Sequence, residues 1–327
     1  MKRREFIVGL ATAVAWPHAS HAQQQSAGSR RLPNIGILNY ASAQDALVNE
    51  FRTALKELGY VEGQSFSLTY RWADGQFERL PALVEEILAS KVDVIIALGP
   101  ATWAAKRATS SVPIVVAFSG DPVGNGVVPS LARPGGNITG FSYMSTDLAA
   151  KRLELVSRAF SRNARIAVLY NPDEPATVLE MRETESAAKA IGVALSPLKA
   201  RRPDDLDDCF EAAVRAPADA IIVFTHGFAV LNRRRIIEQA ARRKIPTMYG
   251  WRDFVENGGL MSYGPNVSIM IRQAAGYVGR ILKGEKPGDL PVQQPTKIEL
   301  SINLRTARAQ GIELPSALLA SADEVIE

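Results

Sequence analysis

The sequence predicts an α/β protein in two comparable halves, each an open parallel sheet covered by helices. Three observations carry this. Short β-branched runs such as 34–38, 92–98 and 220–224 alternate with amphipathic stretches of helical period, the pattern of strand–helix–strand crossovers. The alternation is completed twice before residue 260, and 327 residues suffice for two such units. A composition of 46% hydrophobic and 22% charged residues, with no Gly or Pro period, is that of an ordinary globular chain and excludes fibrous or disordered architectures.

Each element has its own reason. After a polar lead-in at 23–31, the run 34–38 is a buried strand. A helix is expected over 43–58, where Ala46, Leu47, Phe51, Ala54, Leu55 and Leu58 share a face and Gly59 stops it. A strand at 66–72 and a helix at 77–89 follow. The strand at 92–98 ends in Gly99-Pro100-Ala101-Thr102, with a helix to about residue 109, and the strand at 113–119 ends in Gly120-Asp121-Pro122. The second set has a short strand at 138–143, a helix at 147–160, and a strand at 165–170 ending in Asn171-Pro172-Asp173. It continues with a helix at 176–191, a strand at 193–198, a helix from near Pro203, a strand at 218–224, a helix at 229–243 and a strand at 247–250. The remainder holds a strand at 260–263, a helix at 269–282, a Pro-rich connection at 287–295, a strand at 298–303 and a short helical tail. It is too small for a third domain and is expected to complete the first two.

Residues 1–22 read as an export signal. Lys2, Arg3 and Arg4 precede an apolar run at 6–16, and Ser20-His21-Ala22 supplies a small-x-small cleavage pattern. The apolar run is about half of the roughly 20 residues that a bilayer span requires. Arg3-Arg4-Glu5-Phe6-Ile7 also fits the twin-arginine core. Removing the segment takes three basic residues and one acidic residue away, which halves the formal charge of +4. Nucleic acid is therefore not an expected partner. The cluster Arg233-Arg234-Arg235 with Arg242-Arg243-Lys244 reads as a solvated helix face. The single Cys209 cannot form an intramolecular disulfide.

The residue inventory narrows the chemistry. His18 and His21 leave with the signal, so His226 is the one histidine beyond it, and a zinc site with two His ligands is impossible. There is no G-x-S-x-G, no P-loop, and no G-x-G-x-x-G after the first strand, so acyl transfer, nucleotide hydrolysis and dinucleotide redox lack their usual devices. No cofactor or metal is expected. Paired carboxylates stay open as an enzymatic alternative. In open parallel sheets ligands bind at the carboxyl ends of the strands. Here those loops carry Asn39-Tyr40-Ala41-Ser42, Gly99-Pro100-Ala101-Thr102, Ser119-Gly120-Asp121, Asn171-Pro172-Asp173, Thr225-His226 and Tyr249-Gly250-Trp251. They are rich in small donors and aromatics, as a small-molecule site is. Tyr40, Trp103, Tyr143, Tyr249 and Trp251 are the aromatic candidates, each as well suited to packing as to ligand contact. His226 fits either a plain loop position or the cleft wall.

Several segments carry a family likeness over nearly the whole chain: RREF, FRTALKELGYVEGQ, RWADGQFERLPAL, VVAFSGDPVGNGVVPSLARPGGNITG, AAKRLELV, IAVLYNP, GGLMSYGP, GRILKGEKPGDLPVQQPTKIELSINLRTARAQGI and ADEVIE. With these the chain resembles ABC-transporter substrate-binding proteins of the type I periplasmic-binding fold, in the branch related to tryptophan- and tyrosine-binding import proteins. The resemblance implies two Rossmann-like lobes with parallel sheets, joined by a three-crossover hinge near 138–141, 260–263 and 287–291. Lobe 1 would be 32–139 with 263–289, and lobe 2 would be 140–262 with 290–327. It implies a non-enzymatic, monomeric periplasmic receptor. Such a receptor closes on a small organic solute, aromatic or amino-acid-like, and delivers it to an ABC permease in the inner membrane. Coupling to a signalling receptor, or an exported carboxylate-dyad enzyme, are the alternatives.

The expected ligand contacts are Tyr40, Ser42, Ala101, Thr102, Asp121, Tyr143, Asn171, Asp173, His226, Tyr249 and Trp251. Ala101 and Thr102 open a helix whose free N–H groups favour an anion, and Asn171 and Asp173 repeat that logic in the second half. Asp121 could meet an ammonium, but Asp121-Pro122 also fits an N-cap followed by Pro at the first helical position. Amino-acid-binding relatives are expected to carry an acid around 249–252. Trp251 and Arg252 stand there instead, which favours a flat solute with an anionic group over a zwitterion.

Overall fold

The computed structural model describes residues 31–42, 46–160 and 164–327, so the expected export signal at 1–22 lies outside the described residues. Strand β1 (Asn34–Asn39) is followed by α1 (Ala46–Glu57), β2 (Ser67–Trp72), a 3-10 turn (Phe77–Arg79), α2 (Leu80–Ala89), β3 (Val94–Leu98), α3 (Ala101–Ala108), β4 (Ile114–Ser119) and β5 (Ile138–Ser142). These five strands form one all-parallel sheet in the order β2-β1-β3-β4-β5. Val94, Ile95, Ile96, Ile114 and Val115 are buried, as strands covered on both faces must be.

The chain continues with α4 (Ser145–Phe160), β6 (Arg165–Tyr170), α5 (Pro175–Ile191), β7 (Ala194–Lys199), α6 (Asp205–Arg215), β8 (Ala220–Val223), α7 (Gly227–Leu231), α8 (Arg233–Arg243), β9 (Thr247–Tyr249), α9 (Arg252–Glu256) and β10 (Met261–Pro265). Then come α10 (Val267–Leu282), β11 (Ile298–Asn303), α11 (Leu304–Gln310), α12 (Ser316–Ala320) and β12 (Glu324–Ile326). The second sheet has the order β12-β11-β10-β9-β8-β6-β7. Each sheet with its helices is one lobe.

The chain passes between the sheets three times. It leaves the first sheet between β5 and α4, returns between β10 and α10, and leaves again through 290–297 before β11. Helix α10 packs on β3, β4, β5 and α1 of the first sheet, whereas β10 and β11 pair in the second. On the last passage the chain runs beside β5, where Ser142 N donates to Gln293 O at 2.8 Å and Gln293 N to Gly140 O at 2.9 Å.

Three details depart from the sequence expectation. The second sheet is not purely parallel, because β11 runs antiparallel to β10. The third passage brings the chain in at the hinge end of the sheet, so β11 must run the opposite way. The helix expected at 229–243 is broken at Asn232, whose Nδ2 donates to Phe228 O at 2.9 Å and closes α7 before α8 begins. The tail is not wholly helical. Glu324–Ile326 pairs parallel with β11, and three residues are too few to reveal a strand period.

Candidate functional site

The carboxyl ends of the two sheets face each other across a cavity of about 600 Å³, within the range of small-molecule sites. The lobe 1 wall is mostly apolar, with Tyr40, Leu47, Phe77, Leu98, Trp103 and Phe118. The lobe 2 wall carries the carboxylates, through Asp173, Glu174 and Glu180, with Thr177, Thr225, His226 and Trp251 beside them, and Arg107 is the charged residue on the lobe 1 side.

Helix α5 builds most of the charged wall. The turn after β6 is set by Asn171, whose Oδ1 accepts from Asp173 N at 3.0 Å and whose carbonyl accepts from the Thr177 hydroxyl. Pro175 occupies the first helical turn and Glu174 is the N-cap residue, where a carboxylate is favoured by the helix dipole. Glu174, Thr177 and Glu180 follow at three-residue spacing, so they share the face that looks into the cavity. Glu174 Oε1 stands 3.0 Å from Nδ1 of His226, which opens α7 and stacks on Phe228 at 5.8 Å. With its proton on Nδ1, the imidazole donates to that carboxylate.

Beneath this wall lies a buried ion pair. Arg152, from α4, donates through Nη1 to Glu180 Oε1 at 2.7 Å and through Nε to Tyr263 O at 2.8 Å, and both charged side chains are 2% exposed. The guanidinium also lies over the Tyr143 ring at 5.9 Å. Burial pushes Glu180 up to about 7, against the opposing pull of Arg152. Between the ordinary carboxylate range and about pH 7 the folded state therefore binds more protons than the unfolded chain. The stability contributed by Glu180 is full below about pH 4.5 and is lost as pH rises through about 7. Melting curves from pH 4.5 to 8 should show this decline in the parent protein and a flatter profile in Glu180→Gln.

Several donors around the cavity are buried without a hydrogen-bond partner among the described residues: Thr102 Oγ1, Ser145 Oγ and Trp251 Nε1. Thr102 and Ser145 sit at the starts of α3 and α4, so both hydroxyls stand at the positive end of a helix dipole. An unpaired buried polar group costs about 1–3 kcal/mol, which a polar ligand group would offset. Trp251 meets Phe118 of the other lobe edge-on at 5.3 Å and Tyr143 at 5.9 Å. The Tyr143 hydroxyl donates to Gly250 O. Among the described residues no group of three or more His, Cys, Asp or Glu is arranged to hold a metal ion.

Of the residues expected from the sequence, Tyr40, Thr102, Tyr143, Asp173, His226 and Trp251 line the cavity. The others do not. Ala101 turns its methyl into the lobe 1 core, one position before Thr102. Asp121 spends its carboxylate locally, accepting from Gly124 N at 2.7 Å and from the Thr146 hydroxyl at 3.3 Å, and it caps a turn rather than a helix. The Asn171 side chain turns back onto its own loop. Tyr249 is fully buried and stacks on Phe254 at 4.6 Å, on the core side of its strand. Ser42 lies past the strand end and is outside the cavity wall.

Glu174, Glu180, Arg152, Phe77 and Phe118 were not among the expected residues. The first two could have been found by continuing the helical period inward from the Asn171-Pro172-Asp173 loop. Arg152 and Glu180 meet only through the packing of α4 on α5, which local sequence does not show.

Residues 35–326 match the profile of a family described as ABC transporter substrate binding protein. The chain is 26% identical over 316 residues to a tyrosine-binding protein of Clostridioides difficile (strain R20291), covering 95% of this chain and 90% of that protein. It superposes on a conserved domain protein from Vibrio cholerae O1 biovar eltor with a TM-score of 0.83 at 27% identity, covering 90% of this chain and all of that one. A Streptococcus pneumoniae ABC domain solved in complex with L-Trp superposes with a TM-score of 0.81 at 24% identity, over 89% of this chain and 100% of that one.

Proposed function

The chain belongs to the family of ABC transporter substrate-binding proteins, which are not catalysts, and we propose that it is the periplasmic receptor of an importer for an aromatic, amino-acid-like solute. The supporting observation is the division of the cavity. One wall is mostly aromatic and apolar, with Arg107 its one charged residue, and the other presents Glu174 with buried donors close by. A flat ring would lie against Trp103, Phe118 and Trp251. Its ammonium would face Glu174, and its carboxylate the Thr102 and Ser145 hydroxyls at the starts of α3 and α4. The acid missing at 249–252 is thereby supplied from α5, and a zwitterion becomes acceptable. The tyrosine-binding relative has this ligand chemistry.

The mechanism is a hinge equilibrium. A solute touching both walls binds the closed form better than the open one and shifts the population toward it. Residues 1–22 would direct the chain to the periplasm by a twin-arginine-like signal, where the closed form is offered to the permease.

Melting of residues 23–327 with L-tyrosine or L-tryptophan tests the reading. At about 100 times Kd a ligand adds about 2.7 kcal/mol of stability, enough to raise Tm by several degrees. Calorimetry then gives Kd. No shift with either amino acid, across a panel extended to aromatic acids lacking the ammonium, would reject an aromatic solute.

A further inference from the structure

We propose that Tyr40 and Gly227 form the contact that permits lobe closure, with Gly227 as a positioning residue whose missing side chain lets the closed state exist. The proposal rests on two-lobe closure but not on the identity of the solute. Tyr40 follows β1 in lobe 1 and is held at both ends of one loop. Its hydroxyl donates to Gly75 O at 2.7 Å, and Gly75 N donates back to Tyr40 O at 2.9 Å. Its ring rests on Phe77, with centroids 4.5 Å apart. Burial, and then the nearby carboxylates Glu174 and Glu78, push the phenol up, so the hydroxyl keeps its proton and remains a donor. Tyr40 is thus a fixed plate on lobe 1.

Gly227 opens α7 in lobe 2 and lands on that plate. A Cβ at this position would stand 2.3 Å from Cδ1 and 2.5 Å from Cε1 of Tyr40, far inside van der Waals contact. The ring is locked by its hydroxyl bond and by Phe77, so it cannot swing aside cheaply. A second contact backs the first. Leu231, at the end of α7, approaches Gly75 so closely that a Cβ there would be 2.7 Å from Leu231 Cδ1. The backbone of Gly227 lies outside the left-handed region, so alanine is tolerated there as such. Its effect falls on closure alone, since in an open form α7 and Tyr40 are apart.

The test traps the closed form without any ligand. A Cβ built on Gly120 of lobe 1 lies 3.4 Å from Ala176 Cβ of lobe 2, close to disulfide geometry. Its one obstacle is Ser145 Oγ at 2.6 Å. The reporter is therefore Gly120→Cys with Ala176→Cys and Ser145→Ala. Cys209 does not compete, because burial pushes its thiol up to about 11. The rate of cross-lobe disulfide formation in a glutathione buffer reads the closed population. Adding Gly227→Ala is expected to slow trapping about tenfold or more while Tm is maintained. Adding Tyr40→Ala to Gly227→Ala should restore the rate. An unchanged rate with Gly227→Ala, or a loss that Tyr40→Ala does not restore, overturns the proposal. Failure of L-tyrosine and L-tryptophan to bind would leave this result standing.

Discussion

Replacing Arg152 with alanine is expected to destabilise the protein by about 3–5 kcal/mol at pH 8, the cost of leaving a buried charge without its partner. The guanidinium answers two close acceptors, Glu180 and the Tyr263 carbonyl, and the Ser145 carbonyl at 3.4 Å, in a place that water does not reach. All lose their donor together. The loss should shrink toward pH 5, because Glu180, pushed up to about 7 by burial even beside Arg152, holds a proton there and is no longer a buried anion in need of a partner. The double replacement Arg152→Met with Glu180→Leu should recover much of the stability, since apolar pairs of similar volume often match or exceed a buried ion pair. Urea unfolding of the single and double variants at the two pH values checks both statements. Equal losses at pH 5 and pH 8 would show that Glu180 titrates alike with and without Arg152.

Trp251→Ala carries the largest expected effect on ligand affinity. Truncating a buried aromatic anchor costs about 2 kcal/mol of binding or more, which is about 30-fold in Kd. In the proposed site Trp251 is placed as such an anchor. It lines the cavity from lobe 2, meets Phe118 of lobe 1 edge-on, and packs on Tyr143 where the chain crosses between sheets. Its removal strips a wall of the site and a lobe-to-lobe contact at once. Folding stability should also fall, by about 3–5 kcal/mol for loss of a buried Trp side chain. Calorimetry with L-tyrosine or L-tryptophan well below Tm separates the two losses. Trp251→Phe, which keeps a ring between Phe118 and Tyr143, should retain most of the affinity. Unchanged affinity in Trp251→Ala would remove the aromatic wall from the account of binding.

Most of the fold could be read from the chain because its strands are short, continuous apolar runs and its helices keep one apolar stripe. β3, β6 and β8 fall where the sequence puts them for that reason. The misses have physical causes. Asn232 ends one helix and starts the next without disturbing the apolar period across 229–243, so the pattern hides the break. The antiparallel turn of β11 follows from the route of the last crossing, which no local window contains. At the site, strand-end loops located the cavity but not the side chains that face it. Ala101 and Thr102 are neighbours in the first turn of α3, yet one faces the core and the other the cavity. Tyr249, the last residue of β9, packs in the core, whereas Trp251, two residues on and past the strand end, lines the cavity. Glu180 lies a full helical turn and a half beyond its loop, where it reads as an ordinary helix surface until α4 is packed against it.

The three passages between the sheets also govern how the molecule can come into being. Lobe 1 starts at the first strand, yet the face formed by β3, β4 and β5 is covered by α10, and Tyr60 donates to Gly279 O across 219 residues of sequence. Lobe 2 in turn completes one side of its sheet with β11 and the edge strand β12 from the far end of the chain. Neither lobe is therefore a unit that a ribosome can finish and set aside while the other is being made. A nascent chain short of α10 exposes an apolar sheet face, and one short of β11 leaves β10 as an open edge, the two features that most invite aggregation. Contacts of such long range slow folding as a whole. Both halves of the receptor reach their native form together, late and as one event, and a truncated gene product would yield no smaller working version of either lobe.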